Sequence, residues 1–177
     1  EWVNAVRKIC DENGILLVAD EVQTGFCRTG RMFATNYWEE SGVQPDILAT
    51  AKSIAAGVPL SAIVAREEIM EASAPGTIGG TFCGNALACA AALKTIEIME
   101  RDDIAGRSCE IGEKVSKRFN EWKEKYPVIG DVRGLGGMIG LEFVKDQKTK
   151  EPYPEFSAAV IKGCAQKGLM IEGAGTY

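Results

Sequence analysis

The chain has 177 residues and a net charge of −5, with 46% hydrophobic and 25% charged residues, a balance typical of a globular protein with a sizeable core. The acidic charge and the absence of a basic stretch argue against nucleic acid as a partner. No apolar run approaches the roughly 18 residues that a membrane-spanning helix needs, so no membrane partner is expected either.

The chain contains six cysteines and no histidine. The cysteines are scattered without C-x-x-C spacing, which favours free thiols in a reducing cytoplasm over a zinc site. No metal site is therefore predicted. Without histidine, the Ser-His-Asp and Cys-His classes of catalytic site are excluded within this chain.

The first elements predict a strand that ends in a carboxylate. Residues 2–13 have helical spacing, and Asn13-Gly14 is typical of a helix C-cap. The apolar run that follows delivers Asp20 at its end, and it predicts a strand over 15–20 that is buried on both faces in a parallel sheet. Ligands of open α/β sheets lie outside the carboxyl ends of such strands, so Asp20 is expected at a ligand site.

A second short strand is predicted to bring a lysine to the same edge. The Gly- and Thr-rich stretch 24–31 predicts a loop, 33–41 a short helix closed by Gly42, and 47–50 a strand that ends just before Lys52. The apolar residues around Lys52 argue against an exposed surface lysine, although an arbitrary lysine is mostly exposed. A lysine and a carboxylate that converge at one edge meet the requirement of a pyridoxal phosphate enzyme.

The remaining elements divide the chain near residue 104, into domains 1–103 and 104–177. Spacing and turn residues predict strand 61–65, helical turns 67–72, a loop over 75–84, helices 85–101 and 102–126, strands 128–132 and 138–144, helix 155–167 and strand 169–172. The alternation in 138–144 indicates a half-exposed, antiparallel strand.

The motifs resemble those of class III aminotransferases, which are fold-type I, pyridoxal phosphate-dependent enzymes. The resemblance rests on ADEVQTGFCRTG at 19–30, PDI at 45–47, AKSIAAGVPL at 51–60 and GGTFCGN at 79–85. Within the family, GGT and the late GAGTY at 173–177 are most similar to 4-aminobutyrate aminotransferases. The resemblance implies an α/β fold: part of a large domain with a mainly parallel sheet and flanking helices, and part of a smaller α+β C-terminal domain.

The resemblance assigns the two predicted catalytic residues their roles. Lys52 would form the Schiff base with the cofactor aldehyde and, once freed, would shuttle a proton between substrate and cofactor carbons. Asp20 would keep the ring nitrogen protonated, since a carboxylate beside a cation stays ionised. The alternative for Asp20 is an N-cap or a loop carboxylate after a strand.

Further cofactor contacts are implied by the same family. Gln23 would hydrogen-bond the phenolic oxygen, and Val22 would press against the ring face. Gly80 and Thr81 would contribute to the phosphate site of a neighbouring subunit, which implies a homodimer. A flexible loop with an N-cap is the alternative for Gly80 and Thr81. Glu21 is expected in a structural salt bridge.

The function expected from this resemblance is transfer of the amino group of an ω-amino acid, with 4-aminobutyrate favoured, to 2-oxoglutarate. The alternatives are an ornithine or acetylornithine aminotransferase, or a related aminomutase. Because family members are considerably longer, the chain is expected to be an internal fragment. A further alternative is therefore that the fragment is catalytically inactive.

Arg28 is expected to have a structural role only, which is to fix the loop after the first strand.

Overall fold

The computed structural model describes residues 1–77 and 79–175. Residues 176 and 177, which end the GAGTY motif, lie outside the described residues. Two compact units are present, Glu1–Glu110 and Ile111–Tyr177. The boundary between the units falls seven residues after the division near residue 104, and the assignment of the two domains to their parts of the family fold stays a prediction.

The first unit begins with helix α1, Trp2–Asn13, as predicted. Gly14 ends it in the left-handed conformation, with φ of +64°, which glycine adopts at little steric cost. The N–H of Ile15 donates to the carbonyl of Cys10 at 2.9 Å. The chain therefore leaves the helix in a fixed direction towards the first strand.

A three-stranded sheet of order β1-β2-β3 follows, with β1 at Val18–Asp20, β2 at Ile47–Thr50 and β3 at Ala62–Ala65. Strands β1 and β2 are parallel, with Asp20 opposite Ala49. Strand β3 runs antiparallel to β2. The parallel pairing expected of the first two strands is thus confirmed, while the described sheet as a whole is mixed.

The prediction that the first strand is buried on both faces is wrong for this chain. The strand itself spans only three residues, of which Ala19 alone is buried. The side chains of Ile15, Leu16 and Val18 are each about half exposed. Ile15 and Leu16 lie before β1 itself, and no element of the described residues covers these three side chains.

Short helical segments connect and follow these strands. Two 3₁₀ helices, Ala34–Tyr37 and Glu39–Ser41, replace the single helix predicted over 33–41. Gly42 closes the second with φ of +70°. Another 3₁₀ helix, Lys52–Ala55, follows β2. Helix α2 spans Glu67–Met70 and helix α3 spans Ala86–Arg101.

The core of the first unit lies behind the segment that carries Lys52. Its buried members are Phe26, Ile54, Ala55 and Ala92. Partly buried side chains pack around them: Met32, Phe33, Val58, Leu60, Ala62, Ala91, Ile96 and Met99. The core therefore joins the loop after β1, the 3₁₀ helix after β2 and helix α3.

The second unit is a helix–hairpin–helix arrangement. Helix α4, Ile104–Lys125, begins before the unit boundary and is followed by β4, Ile129–Leu135, and β5, Met138–Phe143. The two strands pair antiparallel, as predicted, and helix α5 spans Pro154–Gln166. The strand predicted over 169–172 is wrong, because this segment has no partner strand among the described residues.

No helix within 1–77 or 79–175 is both long enough and apolar enough to cross a bilayer. All six cysteines lie in these ranges, and each is a free thiol.

A buried carboxylate ties the sheet of the first unit together. Asp46, which is 6% exposed, accepts from the N–H of Leu17 at 2.7 Å and pairs with Arg7 at 2.8 Å and with Arg66 at 2.9 Å. The hydrogen bond from Leu17, followed by that from Arg7, lowers the pKa of Asp46. These contacts connect α1, the start of β2 and the end of β3.

We predict that Asp46→Asn lowers the free energy of unfolding by about 2–4 kcal/mol at pH 7, since it leaves two cations facing a neutral side chain. The pKa of Asp46 is lower in the folded state, so its contribution is present above the unfolded pKa of about 3.9 and is lost as pH falls through the folded pKa. Denaturant unfolding of the full-length protein should show the difference between wild type and variant shrinking in acid.

Asp11→Asn is the matched control, because Asp11 also pairs with Arg7, at 2.7 Å, but is 64% exposed. That exposed ion pair should contribute less than about 1 kcal/mol. Equal losses for the two variants would contradict the role assigned to Asp46.

Candidate active site

The carboxyl ends of β1 and β2 meet at one edge of the sheet because the strands are parallel. Asp20 is the register partner of Ala49, and the N–H of Glu21 donates to the carbonyl of Ala49 at 2.8 Å. Lys52 begins the 3₁₀ helix three residues after Ala49. The structure therefore brings Asp20 and Lys52 to the same edge, as the sequence predicts.

Lys52 contacts another predicted site residue. Its Nζ donates to Oε1 of Gln23 at 3.1 Å. The backbone of Lys52 has φ of +48°, a conformation that costs an L-residue about 1–2 kcal/mol. Such strain persists only where the surroundings fix it, and Ile54 and Ala55 of the same 3₁₀ helix are buried in the core.

The apolar neighbours of Lys52 do not bury it, so the prediction of a lysine shielded from solvent is wrong. Lys52 is exposed, whereas Ile54 and Ala55 are 8% and 1% exposed. The apolar residues serve the packing of the 3₁₀ helix, and the lysine side chain projects away from that core. An exposed amine is accessible to a ligand at the sheet edge.

Asp20 is exposed at the end of β1. Its Oδ1 accepts a hydrogen bond from the N–H of Val22 at 3.0 Å, which closes a local turn. Asp20 therefore does act as a loop carboxylate after a strand, which is the alternative role considered for it. Within the described residues Oδ2 has no hydrogen-bond donor, so one oxygen is free to meet a ligand.

Glu21 is structural, but it forms no salt bridge among the described residues. Its side chain is 2% exposed. Oε2 accepts from the hydroxyl of Thr24 and from the N–H of Ala34 at 3.0 Å, and Oε1 accepts from the N–H of Thr35 at 2.7 Å. The predicted salt bridge is wrong because a hydroxyl and two backbone amides, rather than a cation, satisfy this carboxylate.

The loop after Glu21 is tightly fixed. Phe26 and Cys27 are buried with φ of +58° and +69°. The rings of Phe26 and Phe33 pack edge to face at 5.4 Å. Burial, with a smaller contribution from the Asp103 charge, raises the pKa of the Cys27 thiol, so this thiol stays protonated at neutral pH.

Arg28 links this loop to the segment that carries the lysine. Its Nε donates to Oγ of Ser53 at 3.3 Å, and its carbonyl accepts from the hydroxyl of Ser108 at 2.9 Å. Ser53 directly follows Lys52. These contacts support the expectation that Arg28 fixes the loop.

Gly80 and Thr81 are exposed in the loop before α3. The carbonyl of Gly80 accepts from the N–H of Cys83 at 3.0 Å. Asn85 caps the helix, with its Oδ1 accepting from the N–H of Leu87 at 3.0 Å. No hydrogen bond of the described residues joins Thr81 to the Lys52 edge, so the structure does not bring this part of the predicted site together with the rest.

A cavity of about 490 Å³ lies elsewhere, within the second unit, and contains none of the predicted site residues. Apolar side chains dominate its lining, including Phe119, Trp122 and Phe143. The chemistry-bearing residues are instead those of the sheet edge in the first unit.

The residues at that edge fit pyridoxal phosphate by their chemistry. Lys52 offers an accessible primary amine, Asp20 an unpaired carboxylate oxygen, and Gln23 an amide beside the amine. Val22, which lies between Asp20 and Gln23 in the sequence, is half-buried. An amine for an aldehyde and an acid for a pyridine nitrogen form the donor set that this cofactor requires.

Sequence reasoning did not find the hydrogen-bond partners of Glu21 or the network of Asp46. One signal for Glu21 was available. Consecutive side chains of a strand point to opposite faces, so a ligand-facing Asp20 requires that Glu21 point inwards. Two of the three donors to Glu21, the N–H groups of Ala34 and Thr35, lie 13 and 14 residues away, and no local pattern indicates them. The third donor, the Thr24 hydroxyl, lies three residues away.

Comparison with known proteins identifies the family of the chain. The sequence model of the class-III aminotransferase family matches residues 1–177. A probable 4-aminobutyrate aminotransferase of Bacillus subtilis is 45% identical over 98% of this chain and 39% of its own length. The 5-aminovalerate aminotransferase DavT of Pseudomonas putida is 46% identical over 100% and 41%.

The solved structure of a PLP-bound amine transaminase from an uncultivated Pseudomonas species superposes with a TM-score of 0.87. It is 35% identical and covers 99% of this chain and 41% of its own. The chain belongs to the class III aminotransferase family, whose fold is the fold-type I transaminase fold and whose cofactor is pyridoxal phosphate. It spans about two-fifths of the length of these relatives.

Proposed function

We propose that the intact protein containing this chain is a pyridoxal phosphate-dependent aminotransferase of ω-amino acids, with 4-aminobutyrate the favoured donor and 2-oxoglutarate the acceptor. The observation that carries the proposal is the 3.1 Å contact of Lys52 Nζ with Gln23 Oε1, at the strand edge where Asp20 also lies. The 177-residue polypeptide is about two-fifths as long as its relatives. The alternative proposal is therefore that this polypeptide by itself is catalytically inactive.

Lys52 is proposed as the catalytic lysine. When bound, the cofactor supplies an aldehyde that condenses with primary amines and a ring that withdraws electrons. Lys52 Nζ would hold the cofactor through that aldehyde and, as a free amine, would move a proton between two carbons. An exposed side chain on a fixed backbone suits this task, because the Lys52 amine must move while its Cα atom stays in place.

Asp20 and Gln23 are proposed as the groups that hold the cofactor ring. The Asp20 carboxylate keeps a proton on the ring nitrogen through its negative charge. Gln23 would donate a hydrogen bond to the phenolic oxygen through its amide N–H, and Val22 would contact the ring face. The free Oδ2 of Asp20 and the Gln23–Lys52 contact support this arrangement.

The relatives support the proposed substrate class. Their names specify 4-aminobutyrate and 5-aminovalerate, which each carry a terminal primary amine and a carboxylate and differ by one methylene. One methylene discriminates by only about 10–200-fold, so both are expected as donors. Ornithine and acetylornithine transfer, or aminomutase activity, are the alternatives.

A homodimer is proposed as the working state, with Gly80 and Thr81 completing the phosphate site of the neighbouring subunit. Exposure of this loop and its local hydrogen bonding support the proposal. Backbone amides and a hydroxyl before a helix are suited to phosphate. The six free thiols support a cytoplasmic location.

The direct test is an assay of the full-length protein with 2-oxoglutarate and a panel of donors: 4-aminobutyrate, 5-aminovalerate, ornithine and acetylornithine. We predict that glutamate forms fastest with 4-aminobutyrate and within about 200-fold of that rate with 5-aminovalerate. A higher kcat/KM for ornithine or acetylornithine would contradict the donor, and absence of glutamate with every donor would contradict the reaction.

Variants separate the roles in this assay. Lys52→Ala should lose about 10³-fold or more in kcat, whereas Lys94→Ala, which changes an exposed lysine paired with Glu97, should be neutral. Asp20→Asn should retain the cofactor but lower kcat by about 100-fold. Full turnover in Lys52→Ala would contradict the catalytic assignment.

Mixing two defective variants tests the shared site. If Thr81 serves the neighbouring subunit, a heterodimer of Lys52→Ala and Thr81→Ala subunits contains one wild-type site. Random mixing should then restore about a quarter of the wild-type sites at limiting cofactor. If Thr81 serves its own subunit, mixing restores nothing beyond the mean of the two homodimers.

A further inference from the structure

Glu21 is a buried carboxylate to which the proposed reaction gives no task. Its side chain is 2% exposed, and its hydrogen-bond partners within the described residues are the Thr24 hydroxyl and the N–H groups of Ala34 and Thr35. A buried carboxylate without a cation is costly unless its lone pairs are satisfied. The surrounding loop must therefore adopt the one backbone arrangement that supplies these donors.

The same residue fixes the turn that contains Gln23. The N–H of Gly25 donates to the carbonyl of Glu21 at 3.0 Å, and the Thr24 hydroxyl donates to its side chain. Residues 21–25 thus form a turn held through both the backbone and the side chain of Glu21. The turn is tight, since a Cβ added at Gly25 would lie 2.8 Å from the Glu21 carbonyl oxygen.

Gln23 lies in the middle of this turn and is exposed. Its one hydrogen bond to the described residues is the 3.1 Å contact with Lys52 Nζ. An exposed contact of this kind cannot hold the glutamine by itself, because water competes for both groups. The position of Gln23 therefore depends on the backbone of the turn, and so on Glu21.

We infer that Glu21 is a positioning residue of the cofactor site, acting through the 21–25 turn to set the Gln23 amide against the Lys52 amine. The inference rests on the proposed function. It assigns to one buried carboxylate the alignment of two groups that touch the cofactor, and small displacements of such groups cost large factors in binding and rate.

The competing account is that Glu21 only stabilises the fold. A double-mutant cycle separates the two, with the dissociation constant of pyridoxal phosphate from the full-length apoenzyme as the readout. Glu21→Gln replaces one accepting oxygen with an NH2 group, which cannot accept a hydrogen bond from the surrounding donors. It should therefore weaken cofactor binding by about 10-fold. In a Gln23→Ala background the same change should cost about 2-fold or less, because the residue through which Glu21 acts is gone.

Asp46→Asn is the control, because Asp46 is a second buried carboxylate of the same unit whose hydrogen bonds and ion pairs among the described residues go to Arg7, Leu17 and Arg66, outside the 21–25 turn. Its effect on cofactor binding should be equal in the two backgrounds. An equal cost of Glu21→Gln in both backgrounds would overturn the inference and leave the carboxylate a purely structural role.

Thr24→Val provides a milder change if Glu21→Gln fails to fold, since it removes one donor and keeps the carboxylate. Thr24→Val should weaken cofactor binding in the wild-type background but not in the Gln23→Ala background. Thr24→Ser, which keeps the hydroxyl, should bind the cofactor within about 2-fold of the wild-type dissociation constant. An unchanged dissociation constant in Gln23→Ala itself would instead contradict the role of Gln23 in the proposed function.

Discussion

The parallel pairing of β1 with β2 is the constraint on which the candidate site depends. It sets Asp20 opposite Ala49 and brings the lysine that follows β2 to the same edge as the carboxylate that ends β1. A shift of one residue would turn every side chain of the strand to the other face. Asp20 would then point inwards and Glu21 outwards, and neither could keep its partners.

The loop between these strands fixes the positions of the residues that the strand pairing brings to one edge. Glu21 gathers donors from Thr24, Ala34 and Thr35, and Phe26 packs into the core that also contains Ile54. The backbone strain at Lys52 is held by that core. Strain that packing over-determines is characteristic of functional positions, and here it fixes the origin of a side chain whose end must move.

The sequence predicted the helix over 2–13, the strand over 47–50 and the antiparallel hairpin of the second unit, since each has a clear periodicity or turn signal. It also predicted that Asp20 and Lys52 meet at one edge. It did not predict the exposure of Ile15 and Lys52, because burial depends on which elements cover a surface. Nor could it find the N–H groups of Ala34 and Thr35 that donate to Glu21, because they are backbone amides distant in sequence.

The central claim is that Lys52 is the amine that binds pyridoxal phosphate. The most direct measurement is to saturate the full-length protein with the cofactor, reduce the bound form with borohydride, and map the modified peptide by mass spectrometry. The account predicts labelling at Lys52 alone, lost in Lys52→Arg and retained in Lys94→Arg. Labelling at another lysine, or scattered labelling that persists in Lys52→Arg, would contradict it.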